Sequence, residues 1–283
     1  ARGGCVSCTN ASFSPSRRCG AATGPGRSVG EQVAAGIERL QRRYGDCRHF
    51  LAYFQPATNT YAPVDRLHDL YQQALAHPAV VGLAVGTRPD CAGDDVLDLL
   101  SDLAQRTFVS VEYGMQTMHD RSLDWMNRGH HHVATVDAIE RSRGRGFEIG
   151  VHVILGLPGE SRADLQATAQ ELARLNVDAV KLHSLYAVHN TPLAEQVQTG
   201  RARLLSRDAY VRSVVDTIER LPPHTVVQRV GGEAPSRYVL GPTWCLDKSG
   251  LRQAIEYEFL QRDTWHGKTW SCAEPGTGTP RTT

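Results

Sequence analysis

Apolar residues fall along this chain in two alternating rhythms. From Gly30 to Tyr44, Val33, Ile37 and Leu40 recur three to four positions apart with charges between them, which predicts a helix with one buried face. Short β-branched and aromatic runs of strand length then appear at 49–54, 80–85, 108–112, 147–155, 179–185 and 226–230. Stretches of helical spacing at 64–76, 94–105, 133–143, 163–175 and 206–220 separate them. Strand then helix, repeated, predicts a parallel α/β sheet with right-handed crossovers. Such units curl into a full or partial (β/α) barrel, with an open doubly wound sheet as the alternative.

The placement of polar residues favours the barrel, because barrels gather functional side chains at the carboxyl ends of several strands. Successive strand ends here read Tyr53-Phe54-Gln55, Gly86-Thr87-Arg88-Pro89-Asp90 and Glu112-Tyr113-Gly114-Met115-Gln116. The later ones read His152 leading into Gly156-Leu157-Pro158-Gly159-Glu160, and Lys181-Leu182-His183. On the period-two rule Glu112 shares a face with Ser110, and His152 with Glu148 and Gly150, so small residues stand beside the polar ones and leave room for a ligand. A single strand-end Glu or His is most often a satisfied core-edge group; five polar strand ends meeting at one rim is a much less probable accident.

Composition narrows the classes. A chain of 283 residues buries one large core. With 31 Lys plus Arg against 30 Asp plus Glu, bulk charge selects neither nucleic acid nor membrane. No apolar run reaches the roughly 18 residues needed to span a bilayer, and the first residues form no targeting signal, so the expected location is the cytoplasm. The seven cysteines are odd in number and scattered, which suits reduced thiols and metal ligands better than a disulfide framework. Cys5 and Cys8 form a Cys-x-x-Cys pair behind Gly3-Gly4, and taken alone they fit a zinc knuckle or free thiols equally well. The run His130-His131-His132 is not read as a metal site, because consecutive residues diverge in helices and strands alike.

The opening Gly-Gly-Cys5-x-x-Cys8-x-Asn10-Ala11-Ser12-Phe13, the Gly86 to Asp90 strand end, Glu112-x-Gly114-x-Gln116 and the Gly156 to Glu160 turn together resemble a radical S-adenosylmethionine enzyme. More narrowly the chain is similar to the YhcC/YtqA-like branch, related to the radical domain of the Elongator catalytic subunit. Lys181 to Val188, Asn190-Thr191-Pro192-Leu193-Ala194 and Gly241-Pro242-Thr243-Trp244-Cys245 carry that part of the likeness.

The resemblance implies a [4Fe–4S] cluster that donates an electron to S-adenosylmethionine and releases a 5′-deoxyadenosyl radical. It implies Cys5 and Cys8 as the last two cluster ligands, with the first lying upstream, so the chain reads as N-terminally truncated within the motif. Cys19 matches no family cysteine, and Ser7 stands where close relatives carry an aromatic residue. For cofactor binding the candidates are Gln55, Arg88, Glu112, Gln116, Gly156 and Glu160; for substrate contact or proton handling they are Lys181, His183 and His152. The implied partners are S-adenosylmethionine, transfer RNA modified at its wobble uridine, and an electron donor such as flavodoxin or ferredoxin, with no membrane. Two other classes stay open: an inert barrel retaining only cofactor or RNA binding, and a metal-dependent barrel hydrolase built on His152 and His183. The expected organisation is a barrel over 1–225 lacking its N-terminal strand and first cluster cysteine, a small extension over 226–270 closing it, and a disordered tail over 271–283.

Overall fold

The computed structural model describes residues 4–7, 27–232 and 234–271. Helix α1 (Val29–Tyr44) begins on a capping box in which Ser28 and Glu31 satisfy each other's backbone N–H groups. It leads into β1 (Phe50–Phe54), α2 (Val64–Leu75), β2 (Val80–Thr87), α3 (Asp94–Ala104) and β3 (Phe108–Gln116). Two helices, α4 (Asp120–Trp125) and α5 (His132–Ser142), precede β4 (Glu148–Leu155), which is followed by α6 (Arg162–Leu175) and β5 (Ala179–Ser184). The chain ends through β6 (Ala187–Val188), α7 (Pro192–Gln198), α8 (Arg207–Ile218), β7 (Val226–Arg229), β8 (Val239–Gly241) and α9 (Lys248–Gln261).

Six strands form one parallel sheet in the order β1-β2-β3-β4-β5-β7, and β6 pairs antiparallel with β8 in a separate ribbon. The sheet with its outer helices is a half-barrel, one of the two outcomes the pattern allowed. Strand parity divides its two faces. Leu83, Val85, Val109, Val111, Tyr113, Ile149, Val151, Val153, Val180 and Leu182 point outward into the main core beneath the helices, each fully buried aliphatic contributing on the order of 2 kcal/mol. The intervening positions, among them Ser110, Glu112, Glu148, His152, Lys181 and His183, share the opposite parity and line the concave side.

The sheet continues past position 225, where the barrel was expected to end. Strand β7 pairs with β5 through Ala179↔Val226 and Val180↔Val227, and Leu251 and Ile255 of α9 lie in the same apolar core as the strands. The segment after 225 is therefore part of the barrel's own packing. Apart from Ser271, the expected tail lies outside the described residues, as do Cys8 and Cys19. Among the described residues, no helix is long and apolar enough to cross a membrane.

Candidate active site

The concave face is polar in layers. Near its amino-terminal end, Ser110 Oγ and Gln228 Nε2 both donate to Glu148 Oε1, at 2.9 and 3.0 Å. One layer up, Glu112 is the hub. Its Oε2 accepts from Tyr53 Oη at 2.6 Å, His152 Nε2 at 2.7 Å and Lys181 Nζ at 2.6 Å, and its Oε1 accepts from Lys181 Nζ at 2.5 Å. Lys181 completes its three donors on Tyr53 Oη at 3.2 Å and lies over the Tyr53 ring. The side chain of Glu112 is only 3% exposed. Burial opposes its charge, yet the donors from His152, Lys181 and Tyr53 outweigh that and hold the carboxyl down at about 2. Burial pushes the Tyr53 phenol up and pulls Lys181 and His152 down, with Glu112 acting against the shift in the last two.

His183 lies beyond this hub, its ring 5.3 Å from that of His152. Its Nε2 is buried without a hydrogen-bond partner among the described residues, and burial, then His152, lowers its pKa well below the ordinary range. A cavity of about 180 Å³ opens there, lined by Ser7, Gln116, His152, Ile154, His183 and Tyr186 among others. Gln116 closes β3 at φ 71°, where the ladder skips from Tyr113↔Val151 to Gln116↔Val153. A left-handed non-glycine residue at a strand end marks a place where the surroundings dictate the backbone, as functional sites often do.

The cysteine segment is fastened to the same rim. Val6 N–H donates to the Met126 carbonyl at 3.1 Å, Leu193 N–H donates to the Val6 carbonyl at 3.0 Å, and Asn127 Nδ2 donates to the Gly4 carbonyl at 2.8 Å. Arg128 ties this clamp to β3: Nη1 reaches Cys5 Sγ at 3.7 Å, Nη2 the Gly114 carbonyl at 3.0 Å, and Nε the His130 ring at 3.2 Å. Sequence reasoning missed Arg128, since one arginine in the loop between α4 and α5 breaks no period and joins no motif. It also passed over Tyr53 in favour of its neighbour Gln55. The three adjacent histidines diverge, His130 to Arg128, His131 to Asp124 and His132 to Glu171.

The remaining candidates are spread around the rim. Gln55 is exposed just past β1. Arg88 spends Nε and Nη2 on Asp90 at 2.9 and 2.5 Å, and Nη2 also on the Gly129 carbonyl at 2.9 Å, which among the described residues leaves Nη1 for a ligand. Its charge is coupled to Cys5 nearby. Gly156 takes φ 95° at the turn leaving β4, with Leu205 pressed against the place a Cβ would occupy. Glu160 accepts from Thr117 Oγ1 at 2.8 Å, and burial raises its pKa. The same turn also starts a helix, because Ser161 and Asp164 form the capping box of α6. For the hydrolase alternative, His152 Nε2 is committed to Glu112, and among the described residues no three His, Cys, Asp or Glu side chains converge as a metal site.

The comparisons with known proteins agree with this arrangement. A model of the radical SAM superfamily matches residues 2–172, and one of the radical SAM C-terminal domain matches residues 177–261. YtqA of Bacillus subtilis is 38% identical over 81% of this chain and 71% of its own length. Protein YhcC of Escherichia coli is 36% identical over 90% of this chain and 80% of its own. The tRNA uridine(34) acetyltransferase of Methanocaldococcus jannaschii is 22% identical over 69% of this chain and 36% of its own. Among solved structures, the archaeal Elp3 of Methanocaldococcus infernus shares the fold with a TM-score of 0.72 at 17% identity, covering 84% of this chain and 60% of that one. With a family model spanning more than half its length and a half-barrel whose cysteine segment meets the polar strand ends, this chain belongs to the radical SAM superfamily of enzymes.

Proposed function

We propose that this protein binds a [4Fe–4S] cluster and S-adenosylmethionine at the carboxyl rim of the half-barrel and modifies a uridine of transfer RNA. The observation that carries the reading is the docking of the Cys5 segment onto that rim, beside the cavity formed by Gln116, His152 and His183. The donor chemistry fits the cluster. The Cys5 thiol is held next to the guanidinium of Arg128 and in the field of Arg88, cations that favour the thiolate a cluster ligand must be. Cys8, the second proposed ligand, lies outside the described residues. Once bound, the cluster supplies the electron that cleaves S-adenosylmethionine to methionine and a 5′-deoxyadenosyl radical.

The protein's own residues then divide by position. Gln116 and Nη1 of Arg88 face the rim and are proposed to orient the amino and carboxylate groups of S-adenosylmethionine, with Gln55 at the edge and the backbone of the Gly156 to Glu160 turn against the adenine. Glu112 is proposed to act through its neighbours. Ionised and buried, it fixes the positions of the Lys181 ammonium and the His152 ring on the concave face. Lys181, His152 and His183 are proposed to meet the substrate. The transfer-RNA assignment is supported by the name of the acetyltransferase relative and by the Elp3-like fold. An external reductant of the flavodoxin or ferredoxin type is proposed to reload the cluster.

Anaerobic reconstitution with iron and sulfide, followed by dithionite and S-adenosylmethionine, tests the first half. Chromatographic detection of 5′-deoxyadenosine is expected from protein that includes the upstream motif cysteine the resemblance implies, and its absence there overturns the radical reading; binding without cleavage would favour an inert barrel. Mass spectrometry of transfer-RNA nucleosides from cells with and without the gene tests the second half. Unchanged uridine derivatives overturn the substrate assignment.

A further inference from the structure

Acids and bases cancel over the whole chain, with 31 Lys plus Arg against 30 Asp plus Glu, but the arginines are unevenly placed. A cavity of about 450 Å³ opens beside the turn that leaves β4, between α6, α8 and the loop at 199–206, and Arg162, Arg201, Arg203 and Arg212 all line it. Two carboxylates share the lining, Glu160 and Asp216. Asp216 pairs with Arg162, but neither carboxylate pairs with Arg203 or Arg212 among the described residues. Asp216 is 5% exposed and already shared between Arg162, at 2.6 and 2.8 Å, and Arg262, at 2.6 Å. Glu160 is turned in against Thr117. Arg201 pairs with Glu195 across open solvent, where an ion pair is worth little. Arg203 and Arg212 are exposed, and neither has a side-chain hydrogen bond or ion pair among the described residues.

Arg203 and Arg212 line one cavity without an acidic partner among the described residues, and a bound anion would neutralise that positive charge. Arginine's planar fork of donors suits phosphate oxygens in particular. All four arginines are at exposed positions around the mouth of an open cavity. That arrangement fits the successive phosphates of a polymer better than a single small anion. The groove wall continues, along the chain, the strand that enters the site. Strand β4 carries His152 and Ile154 into the cavity beside His183, and its continuation at Gly156 to Glu160 forms the groove wall. A backbone held in the groove can therefore hand a base over the rim, phosphate contacts setting position while the base is read inside.

We propose that this arginine groove docks the phosphate backbone of the RNA substrate, an inference that rests on the transfer-RNA reading above. Binding of bulk transfer RNA, followed by fluorescence anisotropy from about 50 to about 300 mM KCl, tests it. Each phosphate contact on single-stranded RNA contributes about 0.7 to the slope of log K against log salt, so Arg203→Gln/Arg212→Gln is expected to flatten the slope by about 1.4 and to weaken binding about tenfold at low salt. Arg203→Lys/Arg212→Lys is expected to keep the slope. Arg39→Gln/Arg106→Gln, which removes the same charge from exposed positions outside the groove, is expected to behave as wild type. A wild-type slope in the Arg203→Gln/Arg212→Gln protein overturns the groove while leaving the transfer-RNA reading intact. Equal losses in the two Gln double variants overturn the groove as well, and wild-type protein with no salt-dependent binding overturns both.

Discussion

Lys181 donates to both carboxylate oxygens of Glu112, at 2.5 and 2.6 Å, although β4 lies between the strands that carry them. Gly150 makes this reach possible. It pairs with Glu112 in the ladder, and a Cβ there would come within 3.2 Å of Glu112 Cγ. Gly150→Val is expected to push the carboxylate away from Lys181 and to destabilise the protein by about 2 kcal/mol, read by urea denaturation. A variant as stable as wild type would show that the bridge adapts without help from the glycine.

Removing one side of a buried pair strands the other charge. Glu112→Ala is expected to cost about 3 kcal/mol, whereas Glu112→Gln/Lys181→Met should cost clearly less than the sum of its single changes. A double-mutant cycle with no coupling energy would contradict the pairing.

The same carboxylate gives a pH signature. Its folded pKa of about 2 lies below the ordinary 4.5, so its contribution is complete above about 4.5 and fades as pH falls toward 2. That gap is worth about 3 kcal/mol. Wild type is therefore expected to lose stability more steeply than Glu112→Gln across this window in acid titrations of the unfolding free energy. Parallel curves would refute the assignment.

His183 offers a test of function against stability. Its buried Nε2 has no partner among the described residues and its ring is neutral, so His183→Phe removes no charge and relieves a desolvated nitrogen. A gain of about 1 kcal/mol together with loss of substrate turnover is expected. Retained turnover would reduce His183 to a packing residue.

Gly156→Ala is expected to destabilise by about 2 kcal/mol, because φ 95° and the Leu205 side chain both oppose a Cβ there. Adding Leu205→Ala should recover part of the loss in thermal melts, since it removes the clash and leaves the backbone strain.

Much of this arrangement was legible before the structure. The β-branched runs foretold β1 to β5 and β7 to within a few residues, because buried parallel strands must be apolar on the face that meets the helices. The polar strand ends were likewise visible, and Glu112, His152 and Lys181 do meet. What stayed hidden depends on long-range placement. Tyr53 and Gln55 have the same parity, and local sequence does not say that β1 stops between them, leaving one inside and the other in solvent. Arg128 acts only because the loop after α4 returns over the cysteine segment. The two-residue β6 and three-residue β8 are too short to carry a period, and they pair across about fifty residues of chain.

The open edges of the sheet bear on what such an enzyme can accept. Among the described residues, β1 and β7 end the sheet without pairing to each other. A closed eight-stranded barrel is a well entered from above, so its client must be small or must thread an end into the mouth. A half-barrel is a trough. A long folded molecule can lie across it sideways, lower one unit toward Lys181 and His183, and lift away afterwards with the rest of its structure undisturbed.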